Sequence, residues 1–437
     1  MKKTALLIAF CCLSASIEAQ DKPWTLAQCV DYAIAHNLTV KQREMQRKQQ
    51  EISLSTARNS RLPDINGSIN ESFSFGRGLT SQNTYVSRNT QSTGLSLNTS
   101  IPLFTGFRIP NQIALCRINL QAAAEELQRA KEAISVQVAS AYLQVLLSRD
   151  MWQVAAEQTH LSEIQQQRLE RFLKEGKVAE NEVSEARSRT AQDKLSETQS
   201  KNAYRLALLD LTQLLELASP EGFEVADPEK AEPRVPGESP EEIYRIAMEI
   251  KPEIRAERLR LAGTEKSIRL AKAGYFPQIS FGAGLGSNYY KTSGYEANSF
   301  GRQLKDNFSK SIGLNMSIPL FNRFSTRNAV REARLQRENQ LLALDQAGKT
   351  LYKEIQQAYY NAVAAEEKYR SSQAAAKAAE ESFRLMQKKF EQGQAIATEY
   401  EEAKTRRFKA MADQLQALYD GLLRIKILAF YKGEPIR

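Results

Sequence analysis

Residues 64–76 read DINGSINESFSFG, and this stretch decides what kind of fold the chain adopts. Every second residue from Asp64 to Ser74 is small and polar, whereas most of the residues between them are apolar. Strict alternation of this kind predicts a β-strand with one polar face and one apolar face. Glu71 breaks the pattern, because it falls among the apolar positions. The strand is unexpected, since the surrounding sequence is rich in the residue types of long helices.

Three further segments of the chain show the same alternation. We therefore predict four strands, at about residues 64–75, 92–101, 277–286 and 311–318. Each is roughly 9–11 residues long, which is the length that a tilted strand needs to cross a bilayer. We expect the apolar faces to contact lipid and the polar faces to line a lumen. The asparagines predicted to line that lumen are Asn66, Asn70, Asn98 and Asn315.

The first 19 residues have the features of a secretory signal peptide. Lys2 and Lys3 precede an apolar run from Ala5 to Leu13, and the small residue Ala19 precedes the expected cleavage point. The run is too short to cross a bilayer as a helix, and no later segment has roughly 18 consecutive apolar residues. We therefore expect an exported chain without a transmembrane helix.

Composition argues against several functional classes. Cleavage would leave Cys29 and Cys116, too few cysteines for a disulfide framework in a chain of 437 residues, and we expect both to be packed thiols. The 60 basic and 51 acidic residues are interspersed along the sequence, which does not favour binding to nucleic acid. His36 and His160 are isolated, and we find no nucleophile–base pair and no metal-ligand or cofactor motif. The sequence therefore predicts neither an enzyme nor a metal site.

The sequence contains two copies of the same pattern. Thr99–Phe104 recurs as Met316–Phe321 at an offset of 217 residues, and Leu62-Pro63 recurs as Phe276-Pro277 at an offset of 214. We expect the three additional residues of the second copy to lie in the loop between its paired strands. The predicted organisation is a signal peptide (1–19), a first repeat (20–218), a Pro-rich connection (219–240), a second repeat (241–431) and a short tail (432–437).

Each repeat contains one unusually long helical segment. From Gly106 to Phe172 only Pro110 interrupts the helical pattern, and apolar residues recur at a spacing of three and four, as they do after residue 344 in the second copy. Such a helix would be about 100 Å long. An early and a returning helix together nearly match that length, so we expect both to pack along it and to meet near its middle. This apolar spacing is equally consistent with a coiled coil that has no role beyond packing.

Two predicted hairpin turns connect the long helices to the returning ones. Gly176 and Gly393 can end the long helices with a positive φ angle. Six and nine residues after these glycines the sequence has a pair of glutamates that share one helix face. The pairs are Glu182 and Glu185 in the first repeat, and Glu399 and Glu402 in the second.

Four strands cannot close a sheet, and an open sheet edge is not tolerated in lipid. The barrel must therefore be shared between chains. Two chains would give eight strands and a filled interior, whereas three would give twelve strands and room for a water-filled lumen. A small soluble sandwich built from the same strands is the alternative.

The repeated Ser-Ile-Pro-Leu-Phe, the Leu62-Pro63 and Phe276-Pro277 strand entries and the Gly…Glu…Ala turns resemble the TolC-type outer-membrane efflux proteins. The resemblance covers nearly the whole mature chain. It implies a homotrimer in the outer membrane of a Gram-negative bacterium, in contact with outer-membrane lipid, with a 12-stranded barrel continued by a periplasmic tunnel of α-helical coiled coils. It also implies two partners, a periplasmic membrane fusion (adaptor) protein and an inner-membrane transporter.

The resemblance also assigns roles to residues at the hairpin turns. Glu399 and Glu402 match acidic residues that ring the closed periplasmic entrance, with Glu182 and Glu185 as their first-repeat equivalents. Six carboxylates around a constriction would favour cations. The adaptor is expected to dock at the hairpin tips, at Gly176, Lys177, Gly393 and Gln394. Ala395 departs from a member of the family that has an arginine at this position, where it helps to hold the entrance shut against an acid at the position of Glu182.

The function expected from the sequence is an outer-membrane duct for efflux of small molecules such as drugs. The same duct could instead serve type I protein secretion or metal-ion efflux, because its predicted lining is generic and the pump selects the cargo. A non-conducting structural coiled-coil protein of the cell surface is a third possibility.

Overall fold

A computed structural model describes residues 23–79, 83–227, 232–235 and 237–436. The predicted signal peptide lies outside the described residues. Within them the chain is mostly helical, with a small number of antiparallel strands, and it consists of two repeats with the same order of elements.

The elements of the two repeats correspond one to one, apart from the connections between paired strands. The first repeat contains α1 (Leu26–His36), α2 (Leu38–Asn59), β1 (Asp64–Ser74), β2 (Arg77–Leu79), β3 (Tyr85–Ser87), β4 (Thr90–Thr105), α3 (Arg108–Lys174) and α4 (Glu180–Leu214). The second contains α5 (Pro240–Ile250), α6 (Pro252–Lys272), β5 (Gln278–Thr292), α7 (Phe300–Asp306), β6 (Ser309–Ser317), α8 (Ser325–Glu391) and α9 (Ala397–Tyr431). The predicted duplication is thus present, with β4 and β5 longer than expected.

Equivalent sequence signals begin the first helix of each repeat. Thr25 and Gln28 form a capping box in which each side chain accepts a hydrogen bond from the backbone of the other. Ser239 and Glu242 form the same box, and Pro240 occupies the first helical position of α5. Both boxes satisfy backbone donors that a helix start leaves free.

The two long helices form the rods predicted from the sequence. Helices α3 and α8 have 67 residues each, which corresponds to about 100 Å. Helices α2 and α4 both pack along α3, and α6 and α9 both pack along α8. The expected arrangement of two shorter helices beside a long one is therefore confirmed. Contacts of α3 with α6 and α9 join the repeats.

Most of the apolar core lies around the middle of the rods. One of the largest fully buried side chains, Val183, lies in the first turn of α4 beside the hairpin turn. The others are Val138, Val145, Leu146, Leu211, Thr212, Leu215, Ile243, Ile254, Leu351, Ile355 and Leu428. The Tyr142 hydroxyl shares its single proton between the carbonyl oxygens of Trp24, at 3.0 Å, and Ala226, at 2.7 Å. The chain segments before α1 and after α4 are therefore fastened to the middle of α3. Cys29 and Cys116 are buried free thiols, as predicted.

The four long strands form one antiparallel sheet in the order β1-β4-β5-β6. Strands β4 and β5 occupy its centre and join the two repeats, whereas β1 and β6 are its edges. Every residue of both edge strands is exposed. The misfit Glu71 accepts hydrogen bonds from Gln91 and Thr93 of β4 on the otherwise apolar face.

Within the described part of the chain, none of the helices combines the length and the apolar character needed to cross a membrane.

Candidate functional site at the hairpin ends

The two hairpin turns have the same backbone geometry. Gly176 has a φ angle of 67° and Gly393 one of 71°, a region that a glycine enters without steric cost. After α3, the N–H of Gly176 donates to the carbonyl of Leu173 and the N–H of Lys177 donates to that of Phe172. Gly393 and Gln394 repeat both bonds after α8. These paired bonds end each helix in a Schellman motif, so the predicted glycine role is confirmed.

The four predicted glutamates lie at the starts of the returning helices, and all four are exposed. A carboxylate oxygen of Glu399 accepts a hydrogen bond of 3.2 Å from the backbone N–H of Ile396, and so caps the N-terminus of α9. Glu185 forms an ion pair of 2.5 Å with Arg189. Glu399 therefore has a local structural role beside any role in an entrance.

A buried cluster of charges lies just beyond these glutamates. The Lys404 side chain of α9 is only 3% exposed, and its ammonium group is 3.0 Å from Glu401 and 3.6 Å from Asp193. The ammonium group also donates a hydrogen bond of 2.6 Å to the hydroxyl of Ser162, which in turn donates to Asp193. The side-chain amide of Gln158 also donates a hydrogen bond of 2.7 Å to the Asp193 carboxylate. A buried cation is tolerated only when it is paired in this way.

We refer to Ser162, Asp193, Glu401 and Lys404 as the lysine cluster. Its members come from α3, α4 and α9, so it ties the hairpin of the second repeat to both helices of the first. This cluster was not predicted from the sequence. Tyr400, Ala403 and Phe408 are also buried, so position 404 has the spacing of a core residue. A lysine at such a position was the available signal.

Arg407 forms a second link between the hairpins, one turn along α9 from the lysine cluster. Its guanidinium group contacts Glu157 of α3 at 2.9 Å and also pairs with Glu380 of α8. Burial acts to lower the pKa of Arg407, but the hydrogen bonds with these two carboxylates outweigh burial and raise that pKa above its usual value. Arg407 therefore stays charged and joins three helices.

Aromatic packing supports both links. The Tyr400 ring stacks on Phe390 at 4.7 Å and contacts Phe383, and burial raises the pKa of Tyr400 to about 12. The guanidinium group of Arg168 lies 5.5 Å from the centre of the Phe390 ring and joins α3 to α8. The core near the hairpin ends is thus small and depends on cations held against aromatic rings.

An open cavity of about 550 Å³ separates α4 from α9 beside the lysine cluster. Its lining residues are Gln158, Arg189, Gln192, Asp193, Thr398, Glu401, Glu402, Lys404, Thr405 and Arg406. Of the four predicted glutamates, Glu402 alone lines it. Within the described residues no group of histidine, cysteine, aspartate and glutamate side chains is arranged to hold a metal ion.

The predicted lumen residues lie on one face of the sheet. Asn66 is paired with Asn98, Asn98 with Gly284, and Ser280 with Asn315, and residues paired across antiparallel strands share a face. Asn70 lies four residues after Asn66 and therefore on the same side. The structure thus brings all four asparagines together on the polar face of the sheet, far along the chain from the lysine cluster.

Comparison with known proteins relates these features to a family. The sequence profile of the family described as outer membrane efflux protein matches residues 29–216 and 243–429, one match in each repeat. Protein CyaE of Bordetella pertussis is 25% identical over 260 residues, which are 58% of this chain. The matched part spans about half, 53%, of that curated relative.

Solved structures share the fold over nearly the full chain. The CmeC outer membrane channel of Campylobacter jejuni has a TM-score of 0.79 and 17% identity, and the match covers 94% of this chain and 86% of that one. The open state of the MtrE outer membrane channel of Neisseria gonorrhoeae has a TM-score of 0.76 and 17% identity, with coverage of 97% and 94%.

Proposed function

Because the chain belongs to the outer membrane efflux protein family, we propose that three copies of it form the outer-membrane channel of a tripartite export system. The family match over both repeats carries this proposal, since it connects the long helical rods and the sheet to efflux. Small molecules such as drugs are the proposed cargo. An inner-membrane transporter supplies the energy, and a periplasmic adaptor connects the two membranes.

The two free edges of the sheet support a barrel shared between chains. Among the strands that the structure describes, β1 and β6 each have one side without a partner strand, and unpaired backbone groups are costly in lipid. Joining β6 of one copy to β1 of the next would satisfy them. Three copies would close a 12-stranded barrel with the asparagine face towards the lumen and the apolar face towards lipid.

The hairpin ends supply the closed entrance in this proposal. The lysine cluster and Arg407 join the two hairpins through side chains alone, and such contacts can be exchanged for others when the hairpins move apart. We assign the lysine cluster the latching role that Ala395 cannot perform. The adaptor would dock at the hairpin tips, around Gly176, Lys177, Gly393 and Gln394, and separate the hairpins.

Glu399 and Glu402 would give the entrance its charge selectivity. Both are exposed at the start of α9, so three chains could present six carboxylates to a passing ion. Such a ring concentrates cations and repels anions.

The proposal is tested by single-channel conductance of the purified protein in a planar bilayer. We expect the wild-type protein to give a small, cation-selective conductance. Lys404→Met should raise the open fraction strongly, because loss of about 3–5 kcal/mol from the closed state shifts the equilibrium at least roughly a hundredfold. Lys409→Met, an exposed lysine on the same helix, is the matched control and should behave as wild type.

Two results would separate the parts of the proposal. Glu399→Gln/Glu402→Gln should reduce cation selectivity, and unchanged selectivity would remove the acidic ring while leaving the duct. Absence of conductance in the wild type, in Lys404→Met and in protein with trimmed hairpin ends would contradict the channel itself. Cysteines placed at Lys177 and Gln394 for crosslinking should capture the adaptor.

A further inference from the structure

The net positive charge of the chain is concentrated where the sheet meets the helices. We define the junction band as the 12 residues that adjoin each membrane strand on its helical side: 52–63, 106–117, 266–277 and 318–329. The band contains nine basic residues and no acidic one, which leaves 51 of each sign in the rest of the chain. The expected mixture of basic and acidic residues is therefore absent from the junction band. The basic residues are Arg58, Arg61, Arg108, Arg117, Lys266, Arg269, Lys272, Arg323 and Arg327.

Most of these cations are exposed to solvent. Eight of the nine are exposed and Lys266 is half-buried. In the part of the chain that the structure describes, none of the nine forms an ion pair. Cations just outside the band do pair, since Arg47 binds Glu51 at 3.0 Å and Arg260 binds Glu126 at 2.7 Å. The band is thus a surface of uncompensated positive charge.

A groove between the end of α6 and the start of α8 combines residues of the band with the next turn of α8. This groove, with a volume of about 500 Å³, is lined by Lys272, Tyr275, Phe276, Arg327, Val330, Arg331 and Arg334. Four of the seven lining residues are basic and two are aromatic. The guanidinium group of Arg327 lies over the Phe324 ring at 5.3 Å, which keeps it beside the groove. The groove therefore combines anion-binding groups with apolar walls.

The first repeat lacks this combination, although the backbone is duplicated. At the offset of 217 residues, Arg327 corresponds to Pro110 and Arg331 to Ala114. Packing of α8 does not require these arginines, because the equivalent helix α3 forms without them. Both arginines are exposed, so at these two surface positions the second repeat carries cations that the first repeat does not.

The surroundings of the groove indicate a membrane lipid as its ligand. Leu320 is 92% exposed and Phe321 is 73% exposed, and both lie between β6 and α8. The Phe321 ring contacts the ring of Phe324, with centroids 5.5 Å apart, and Arg327 lies over that second ring. Leu320 continues the alternating apolar positions of β6, of which Ile312 is 78% exposed. An apolar surface that ends at a row of cations matches a lipid, with acyl chains on one side and a phosphate headgroup on the other.

We propose that the groove between α6 and α8 binds the headgroup of an anionic phospholipid in the periplasm-facing leaflet of the outer membrane. This inference rests on the proposed function, because it requires the apolar face of the sheet to lie in lipid. Arginines bind phosphate oxygens through paired N–H donors, and Tyr275 and Phe276 lie where the headgroup meets the acyl chains. The occupied groove would set the depth of the channel in the membrane.

Native mass spectrometry of the detergent-purified protein tests the proposal. The protein is titrated with phosphatidylglycerol, with phosphatidylcholine and with inorganic phosphate. We expect the wild type to retain phosphatidylglycerol in preference to phosphatidylcholine, with weakening at high salt. Lys272→Gln/Arg327→Gln/Arg331→Gln should weaken phosphatidylglycerol binding by about 100-fold, since each cation near an anionic lipid surface contributes about fivefold.

The control variant is Arg245→Gln/Lys353→Gln/Lys377→Gln, which removes three exposed charges outside the junction band and should bind as wild type. Equal binding of both lipids by the wild type would overturn the proposal, whether or not the groove variant folds. Displacement of the lipid by millimolar inorganic phosphate would also overturn it in favour of a free-phosphate site. Conductance is recorded on the same preparations, so loss of lipid preference with conductance retained rejects the groove but not the channel.

Discussion

Among the residues that the structure describes, the buried lysines are Lys251 in the middle of the rods and Lys404 near the hairpin ends. Lys251 lies between α5 and α6, where its ammonium group contacts Glu132 at 3.2 Å, the carbonyl oxygen of Phe430 at 2.9 Å and the face of the Phe430 ring. Ile243 of α5 and Ile254 of α6, on either side of Lys251 in the sequence, belong to an apolar cluster with eight buried members. Lys404 contacts only side chains, and the apolar cluster beside it has three buried members.

The difference shows how the same helices can be held together firmly in the middle of the rods and yet be able to separate at the hairpin ends. In the middle of the rods, apolar burial holds the helices together, and the charge of Lys251 adds little to that attachment. At the hairpin ends the apolar contribution is small, and ionic contacts supply the specific attachment between the repeats. Apolar burial cannot be exchanged for another contact without exposing the surface to water, whereas ionic partners can be replaced. The hairpin ends are therefore the part of the rod suited to opening.

The largest expected effect comes from removing the carboxylates around Lys404. Asp193→Asn/Glu401→Gln keeps the shape of both side chains but leaves a buried unpaired cation, which should cost about 3–5 kcal/mol. We expect the loss to be confined to the hairpin ends. Hydrogen exchange measured by mass spectrometry should show faster exchange in residues 155–200 and 380–410, with the middle of the rods unchanged. Uniformly faster exchange along α3 would contradict the proposed independence of the two regions.

A core substitution in the middle of the rods should lower the stability of the whole protein without affecting the opening of the hairpin ends. Leu146→Ala removes a fully buried side chain and should cost about 2–5 kcal/mol. We expect a lower midpoint of thermal unfolding in circular dichroism and an unchanged open fraction in conductance. Leu206→Ala, where the side chain is 53% exposed, is the control and should change the stability by less than about 0.5 kcal/mol. An open channel in Leu146→Ala would mean that the middle also controls gating.

Replacing the other buried lysine sharpens the comparison. Burial lowers the pKa of Lys251 below its ordinary value of 10.5, opposed by Glu132, so the folded state releases this proton at a lower pH than the unfolded state. The contribution of Lys251 to stability therefore rises as the pH increases towards 10.5. Lys251→Met should lose about 1–2 kcal/mol at neutral pH and show a weaker rise in unfolding temperature between pH 7 and pH 9.5. If the unfolding temperature of the variant rose with pH as it does in the wild type, the pH dependence would not come from Lys251.

The smallest effect is expected at the hairpin turns. Gly393→Ala places a side chain at a φ angle of 71° and should destabilise the end of α8 by about 1 kcal/mol. Gly176→Ala should have a matching effect on α3, because the two turns have the same hydrogen bonds. Local hydrogen exchange would measure both. Gly301→Ala is the control, because a Cβ atom meets nothing within 4 Å at any of the three positions but only Gly176 and Gly393 have a positive φ angle.

Much of the fold follows from local sequence signals. Alternation over residues 64–74 depends only on the two-residue period of a strand, and the glycine turns depend only on the need for a positive φ angle. The duplication doubles each of these signals. Strand lengths were less accurate, because β5 continues to Thr292 through residues whose pairing with β4 maintains the strand.

Less of the candidate site could be predicted. Glu399 and Glu402 were found through their spacing and through the family resemblance, and their place in an entrance stays a prediction. Lys404 was missed because its partner Ser162 is 242 residues away along the chain. A lysine in a charge-rich helix has no local feature that separates it from a surface residue, apart from its place on the buried face.

The sequence by itself determined the two repeats, the length of the rods, the positions of the turns and the two faces of the sheet. Each of these depends on residues close together in the chain, where backbone geometry and periodicity act directly. Only the tertiary structure decided that Lys404 is buried and that the end of α6 and the start of α8 form a basic groove. Both features arise from segments distant in sequence, and burial and electrostatic pairing depend on which surfaces the folded chain brings together.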